Sequence, residues 1–331
     1  MKSRFVRITL AALLPLGAAE ARAQLNGENV LGDYGVMAGT QPAPGFYAGF
    51  LYYLYDTDTI KNGAGERITV DPGRSGSLTS QAICPTFTWV SPYRLLGGSY
   101  GAMATFTLAN AGIEAPTFGL DQTVSMGRGD LYVMPFQLGW YLGRADAIAS
   151  FAFVAPTGRF EAGASDNLGK DMWSYEFSGG GTMYFDQKKS LSLATSAFWE
   201  LHSKKRSEIT LGPSTLTDVK VGQILTLEGG LGKSFHDDLA SVGAAYYAQW
   251  KLTEDEFGFT ITPPGGAVIG KHRVWGFGPE VTFPVIARSK LISSVNVRYM
   301  RETGARIKTE GQTLLVTASF PLPSSAPTPG M

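Results

Sequence analysis

Ser190-Leu-Ser-Leu-Ala-Thr-Ser-Ala-Phe-Trp-Glu-Leu-His202 reads with period two. Leu191, Leu193, Ala197, Trp199 and Leu201 fall on one face; Ser190, Ser192, Ser196, Glu200 and His202 fall on the other. Successive side chains of a strand point to opposite faces, so this is a strand with an apolar and a polar side. The pattern recurs on both sides of it. Trp173, Tyr175, Phe177, Met183 and Phe185 oppose Ser174, Glu176, Ser178 and Thr182. Val242, Ala244, Tyr246, Ala248 and Trp250 oppose Ser241, Gly243, Gln249 and Lys251. Trp275, Phe277, Val281 and Phe283 oppose Gly276, Gly278, Glu280 and Thr282. Upstream, Tyr132, Met134, Phe136, Leu138, Trp140 and Leu142 read as one face. At about 3.3 Å per residue, runs of this length cross a tilted bilayer, and their aromatic ends match an interfacial girdle.

About twelve such strands are expected, near 46–55, 82–93, 98–109, 130–142, 146–155, 173–185, 190–201, 219–234, 239–250, 272–284, 291–301 and 312–320. The connections alternate. Those after Tyr93, Leu142, Phe185, Ser234 and Pro284 are short, whereas 56–81, 110–129, 156–172, 202–218, 251–271 and 302–311 are long. Short periplasmic turns and long outer loops are the habit of outer-membrane barrels, and an even strand count puts both termini on the periplasmic side. The expected fold is therefore all-β, a transmembrane antiparallel up-and-down barrel over 46–320. Its last strand places Leu314, Val316, Ala318 and Phe320 toward lipid, an ending of the kind that barrel-assembly machinery reads.

Composition agrees. Glycine (41 residues) and aromatics (12%) are plentiful, charged residues make up 17%, and Lys+Arg equals Asp+Glu, which gives no footing to a nucleic-acid partner. Lys2, Arg4 and Arg7, the apolar run Ile8 to Ala19 and Ala21-Arg22-Ala23 form a signal peptide over 1–23, with cleavage before Gln24. Residues 24–45 hold turn residues without a strand period, and read either as a periplasmic leader or as a plug folded into the lumen. Residues 321–331, rich in Pro and Ser, read as a disordered tail.

Little in the chain suggests catalysis. His202, His236 and His272 lack metal-ligand spacing, and Cys84 is the single cysteine, so neither a metal nor another cofactor is expected. Asp56 and Asp58 start a calcium-loop pattern that Ile60 and Lys61 break. Glu228-Gly-Gly-Leu-Gly-Lys-Ser234 resembles the end of a phosphate-binding loop, but Leu227 stands where a glycine is needed. It reads instead as a small-residue strand face. Ser192 and His202 lie too far apart along one strand to form a hydrolase pair. Tyr47, Tyr52, Tyr53 and Tyr55 read as girdle. The informative residues are ionisable ones on expected inward faces: Glu176, Glu200, Lys220, Glu228, Lys251, Glu280 and Arg298. They either form a paired network that holds the strands in register or line a pore.

Gly32-Asp-Tyr-Gly, Pro44-Gly-Phe-Tyr, Gly129-Asp-Leu, Leu138-Gly-Trp-Tyr-Leu-Gly143 and Ala155-Pro-Thr-Gly-Arg159 are shared with a known group. So are Asp166-Asn-Leu-Gly, Ser203-Lys-Lys, Leu225-Thr-Leu-Glu-Gly-Gly-Leu-Gly-Lys233, Tyr246-Tyr-Ala-Gln-Trp250 and Gly278-Pro-Glu280. On these stretches the sequence resembles the MetA (meta-cleavage) pathway of phenol degradation family. The resemblance implies an outer-membrane barrel associated with uptake of aromatic or other hydrophobic compounds, with such solutes and membrane lipid as partners. The reading of a passive channel follows from barrel and resemblance together. A closed structural or adhesion barrel, its long outer loops binding partners, is the other reading, and no enzyme is expected.

Overall fold

The computed structural model describes residues 25–68, 76–115, 120–162, 164, 166–211, 214–235, 240–258 and 270–322. The expected signal peptide, His236 and residues 323–331 lie outside them. In chain order the strands are β1 (Gly45–Thr57), β2 (Ile60–Lys61), β3 (Ser77–Leu95), β4 (Gly98–Thr105), β5 (Leu108–Ala115) and β6 (Leu120–Arg128). Next come β7 (Leu131–Tyr141), β8 (Ala145–Ala155), β9 (Ser174–Tyr184), β10 (Leu191–His202), β11 (Ile209–Leu211) and β12 (Ser214–Leu216). The last are β13 (Ile224–Phe235), β14 (Ala240–Lys251), β15 (Arg273–Ala287), β16 (Lys290–Arg306), β17 (Lys308–Thr309) and β18 (Gln312–Leu322).

Twelve of these close into an antiparallel barrel: β1, β3, β4, β7, β8, β9, β10, β13, β14, β15, β16 and β18. Closure is made by β1, which pairs with β3 on one edge and β18 on the other, from Phe46↔Leu322 to Asp56↔Gln312. Both ends of the barrel chain thus meet at the short-turn rim. The turns there suit the right-handed twist of the strands. Leu96 and Gly97 both have positive φ, as do Arg288 and Ser289, the geometry of two-residue primed hairpins.

The alternation read from the sequence governs exposure. Phe177, Leu193, Trp199, Leu231, Val242, Trp275 and Phe283 are exposed on the outside, while Ser192, Ser196, Thr226, Glu228 and Gln249 are buried inside. An apolar belt of this extent is stable facing lipid, not water.

Four expectations are corrected. Stretches 56–81 and 110–129 are not plain loops, since β3 begins at Ser77 and the β5–β6 hairpin extends the wall beyond the long-loop rim. β13 starts at Ile224 rather than 219: Lys220 instead bridges Glu256 main chain to main chain, and its side chain pairs with the exposed Glu256 carboxylate in the loops. The single face read from Tyr132 to Leu142 is split by a register shift between Val133 and Phe136. Pro135, which lacks an N–H, sits in that bulge, and one extra residue inverts every side chain beyond it. Finally, Tyr47, Tyr53 and Tyr55 turn inward rather than joining the girdle; the Tyr55 hydroxyl donates to Glu302 at 2.8 Å.

Leu231 lies midway along β13 on the outer face, 50% exposed. Leu231→Arg is expected to destabilise the barrel by about 2–4 kcal/mol in a bilayer. Ser289→Arg in the rim turn should stay within about 0.5 kcal/mol. Denaturant unfolding from lipid vesicles measures both.

Candidate functional site

Residues 25–44, the segment ahead of β1, run through the lumen from rim to rim. At the long-loop rim Lys251 donates to the Leu25 carbonyl (2.8 Å) and Lys170 to that of Gly27. At the short-turn end Tyr141 donates to the Gln41 and Pro42 carbonyls at 2.8 and 3.1 Å. Between them the inward carboxylates receive main-chain N–H groups. Glu200 accepts from Glu28 (2.6 Å) and Asn29 (3.0 Å), Glu228 from Gly32 (3.1 Å) and Tyr34 (2.9 Å), and Glu280 from Val36 (2.9 Å). Arg298 pairs with Glu280 at 3.3 Å and donates to the carbonyls of Gly32 and Asp33. A segment with no ladder of its own must find partners for its N–H and C=O groups, and here the barrel wall supplies them.

The stretch resembling a phosphate loop has its explanation in this contact. Gly230 and Gly232 of β13 and Gly243 of β14 face inward under Val36, and a Cβ on any of them would come within 2.5–2.8 Å of that residue. Further down, Gly39 crosses Gly181 so closely that a Cβ on Gly39 would stand 2.1 Å from the Gly181 carbonyl carbon. The glycines let two backbones approach; no phosphate geometry is involved.

Of the seven residues singled out from the sequence, Glu200, Glu228, Lys251, Glu280 and Arg298 thus meet on the segment. Glu176 joins the same interior, directly opposite Glu200 across β9 and β10, and accepts from the Tyr132 hydroxyl at 3.0 Å. Lys220 does not; its ammonium pairs with Glu256 at 3.0 Å in the loops. Sequence reasoning missed Lys170, Asp130, Glu302 and Lys308, all of which lie in or beside stretches read as loops. Asp130 accepts from Gly158 (2.7 Å) and Lys170 (2.8 Å) main-chain N–H groups. Above the rim, burial and the adjacent Lys170 ammonium hold the Lys205 ammonium down to about 8.

The segment leans on the β9-to-β16 side and leaves a cavity of about 670 Å³ against β18, β1, β3 and β4. Tyr47, near the short-turn rim, and Tyr55, near the long-loop rim, both line it. That separation corresponds to about 26 Å of strand. Its surface is mixed: Leu51, Tyr53, Ala82 and Met103 alternate with Thr86, Thr105 and Thr317. No group of His, Cys, Asp and Glu among the described residues could hold a metal ion. His202 and His272 are buried with ring nitrogens against the Gly222 carbonyl (3.1 Å) and Gln249 (3.2 Å).

If Glu228 anchors the segment, Glu228→Ala deprives two main-chain N–H groups of acceptors, each such bond being worth about 1.5–3 kcal/mol. Amide hydrogen exchange at Gly32 and Tyr34 is expected to accelerate about ten-fold or more, with the β9 and β10 amides unchanged.

Solved structures share this architecture. An outer-membrane channel from Pseudomonas putida F1 superposes with a TM-score of 0.69 at 16% identity, covering 89% of this chain and 100% of that one. The β-domain of the Bordetella autotransporter BrkA is a looser match (TM-score 0.47, 13% identity, 85% and 100% covered). So is the translocator domain of NalP from Neisseria meningitidis (0.43, 10%, 85% and 90%). The first likeness fixes the fold as that of an outer-membrane barrel, and the other two are too loose to argue from. No curated protein matches the chain. A family model described as "Putative MetA-pathway of phenol degradation" matches residues 57–317.

Proposed function

The chain belongs to the family described as "Putative MetA-pathway of phenol degradation", and from that membership we propose that it is an outer-membrane channel for passive uptake of small hydrophobic or aromatic compounds. The observation that carries the reading is the cavity beside the segment, which follows β1 from Tyr47 to Tyr55. A solute moving by diffusion needs a pre-formed path with weak sites along it. The mixed lining of rings, methyls and hydroxyls suits a small apolar body with one polar group.

In this reading residues 1–23 are the export signal, 24–45 a lumen plug and 46–320 the barrel, whose last strand runs on to Leu322, so that the tail starts at 323 rather than 321. The short-turn rim, with both ends of the barrel chain, faces the periplasm. The apolar belt meets outer-membrane lipid, and the β18 end is what assembly machinery engages. Glu200, Glu228, Lys251, Glu280 and Arg298 act on the pore indirectly, by seating the segment that narrows it, whereas Glu176 faces the path itself.

The segment also favours the second reading, a barrel too filled to conduct. Planar-bilayer recording separates the two. The intact chain is expected to give small, discrete conductance steps, and a chain lacking residues 28–41 steps several-fold larger. Alongside, cells making the protein should take up phenol faster than cells without it. Equal uptake in the two would sink the transport reading and leave the fold untouched.

A further inference from the structure

The carboxylates around the cavity differ in what they still lack. Glu28 is paired with Lys170 at 3.0 Å. Asp130 is occupied by the two main-chain N–H groups described above. Glu302 accepts from Tyr247 (2.9 Å), Tyr55 (2.8 Å) and the Gly311 N–H (2.7 Å). Lys308, the cavity's other cation besides Lys170, donates to Gln249. Glu176 stands apart. It is only 8% exposed, its Oε1 accepts from Tyr132, and its Oε2 has no partner among the described residues although it lines the cavity. Nor does any cation lie within ion-pair distance of it there. Asp33, on the segment, also lines the cavity, and no hydrogen bond reaches its carboxyl among the described residues. The rings of Tyr34, Tyr53 and Tyr132 line the same space.

A carboxylate oxygen that opens on a confined cavity and has no protein donor is left to water, and a ligand that brings a donor can take the water's place. Water can serve while the cavity is empty of solute, but water displaced by a group without a donor leaves the deficit in place. A ligand that brings another carboxylate sets like charges together in a poorly solvated space. Resting on the uptake reading above, we propose that this cavity selects neutral aromatic solutes bearing a hydroxyl or amino donor, phenols and anilines, over aromatic carboxylates. Glu176 Oε2 is the acceptor, Asp33 is the second carboxyl on the segment side, and the tyrosine rings flank the solute's ring. The recognition is non-covalent and involves no reaction.

Equilibrium dialysis of labelled phenol, benzoate and toluene against the full chain in detergent, referenced to protein-free micelles, tests the assignment. Phenol is expected to bind saturably and benzoate at least about ten-fold more weakly. Glu176→Met should weaken phenol about ten-fold while toluene is unaffected. Asp33→Asn, on the segment rather than in the wall, should narrow the gap between phenol and benzoate, and it serves if Glu176→Met fails to fold. Toluene binding together with equal affinity for phenol and benzoate, or phenol binding indifferent to both substitutions, would overturn the selectivity while the channel stands. Saturable binding of none of the three would overturn the aromatic channel reading as well.

Discussion

A backbone amide facing hydrocarbon has no water to turn to, and this single requirement organises the protein. Each strand satisfies its neighbours, but a sheet always has two edges, and an unpaired edge in lipid costs several kcal/mol per group. The β1 strand removes both edges at once by pairing with β3 and β18. Period-two alternation then follows as a consequence, because a closed wall has one side toward lipid and one toward the interior.

The interior inherits the opposite problem. Its wall is polar and ionisable, and a twelve-stranded ring is too narrow to hydrate every such group freely. Residues 25–44 resolve this by lying against the wall, so that wall carboxylates meet main-chain N–H groups and wall cations meet carbonyls. The two halves complement each other mainly through backbone, with side-chain contacts added by Glu28 on Lys170 (3.0 Å), Thr40 on Asp146 (3.1 Å) and Gln41 on Gln137 (3.2 Å). Residue size matters where the segment touches Gly181 and the glycines beneath Val36, and again at Gly27 and Gly35, where a Cβ would stand 2.2 Å from Glu200 and 2.0 Å from Glu280. The unoccupied remainder is left on the β1 side, where Tyr47 donates to the Ala43 carbonyl (2.7 Å) but, among the described residues, no carboxylate or ammonium of the wall bonds the segment.

Much of the wall was legible in the sequence because lipid and lumen impose a strict two-residue rhythm, as at Ser190–His202. The rhythm fails where a local device resets it: Pro135 inverts the phase of β7, and no count of alternating residues anticipates that. The β5–β6 hairpin was hidden for a different reason. It lies beyond the membrane, where nothing forces an apolar face, so its residues resemble loop. Glu176, Glu200, Glu228, Lys251, Glu280 and Arg298 stood out in the sequence because a charge inside a strand contrasts with its neighbours. Lys220 misled by standing next to such a strand. Lys170 and Lys308 escaped because a charge in a loop is ordinary in sequence and acquires meaning only from what folds against it, and Asp130 because it stands at the very start of its expected strand, 130–142. The turn from girdle to lumen of Tyr53 and Tyr55 likewise depends on the phase of β1, which a run of four tyrosines in nine positions cannot fix.

Because the segment is continuous with β1 at Gly45, whatever occupies its seat competes with a covalently tethered rival. A free molecule that dissociates from a pore is diluted into the medium. This one stays within a few residues of its place, at an effective concentration in the millimolar range set by the length of chain between anchor and seat. Any departure of the segment would therefore be brief by construction, because the tether returns it to its seat.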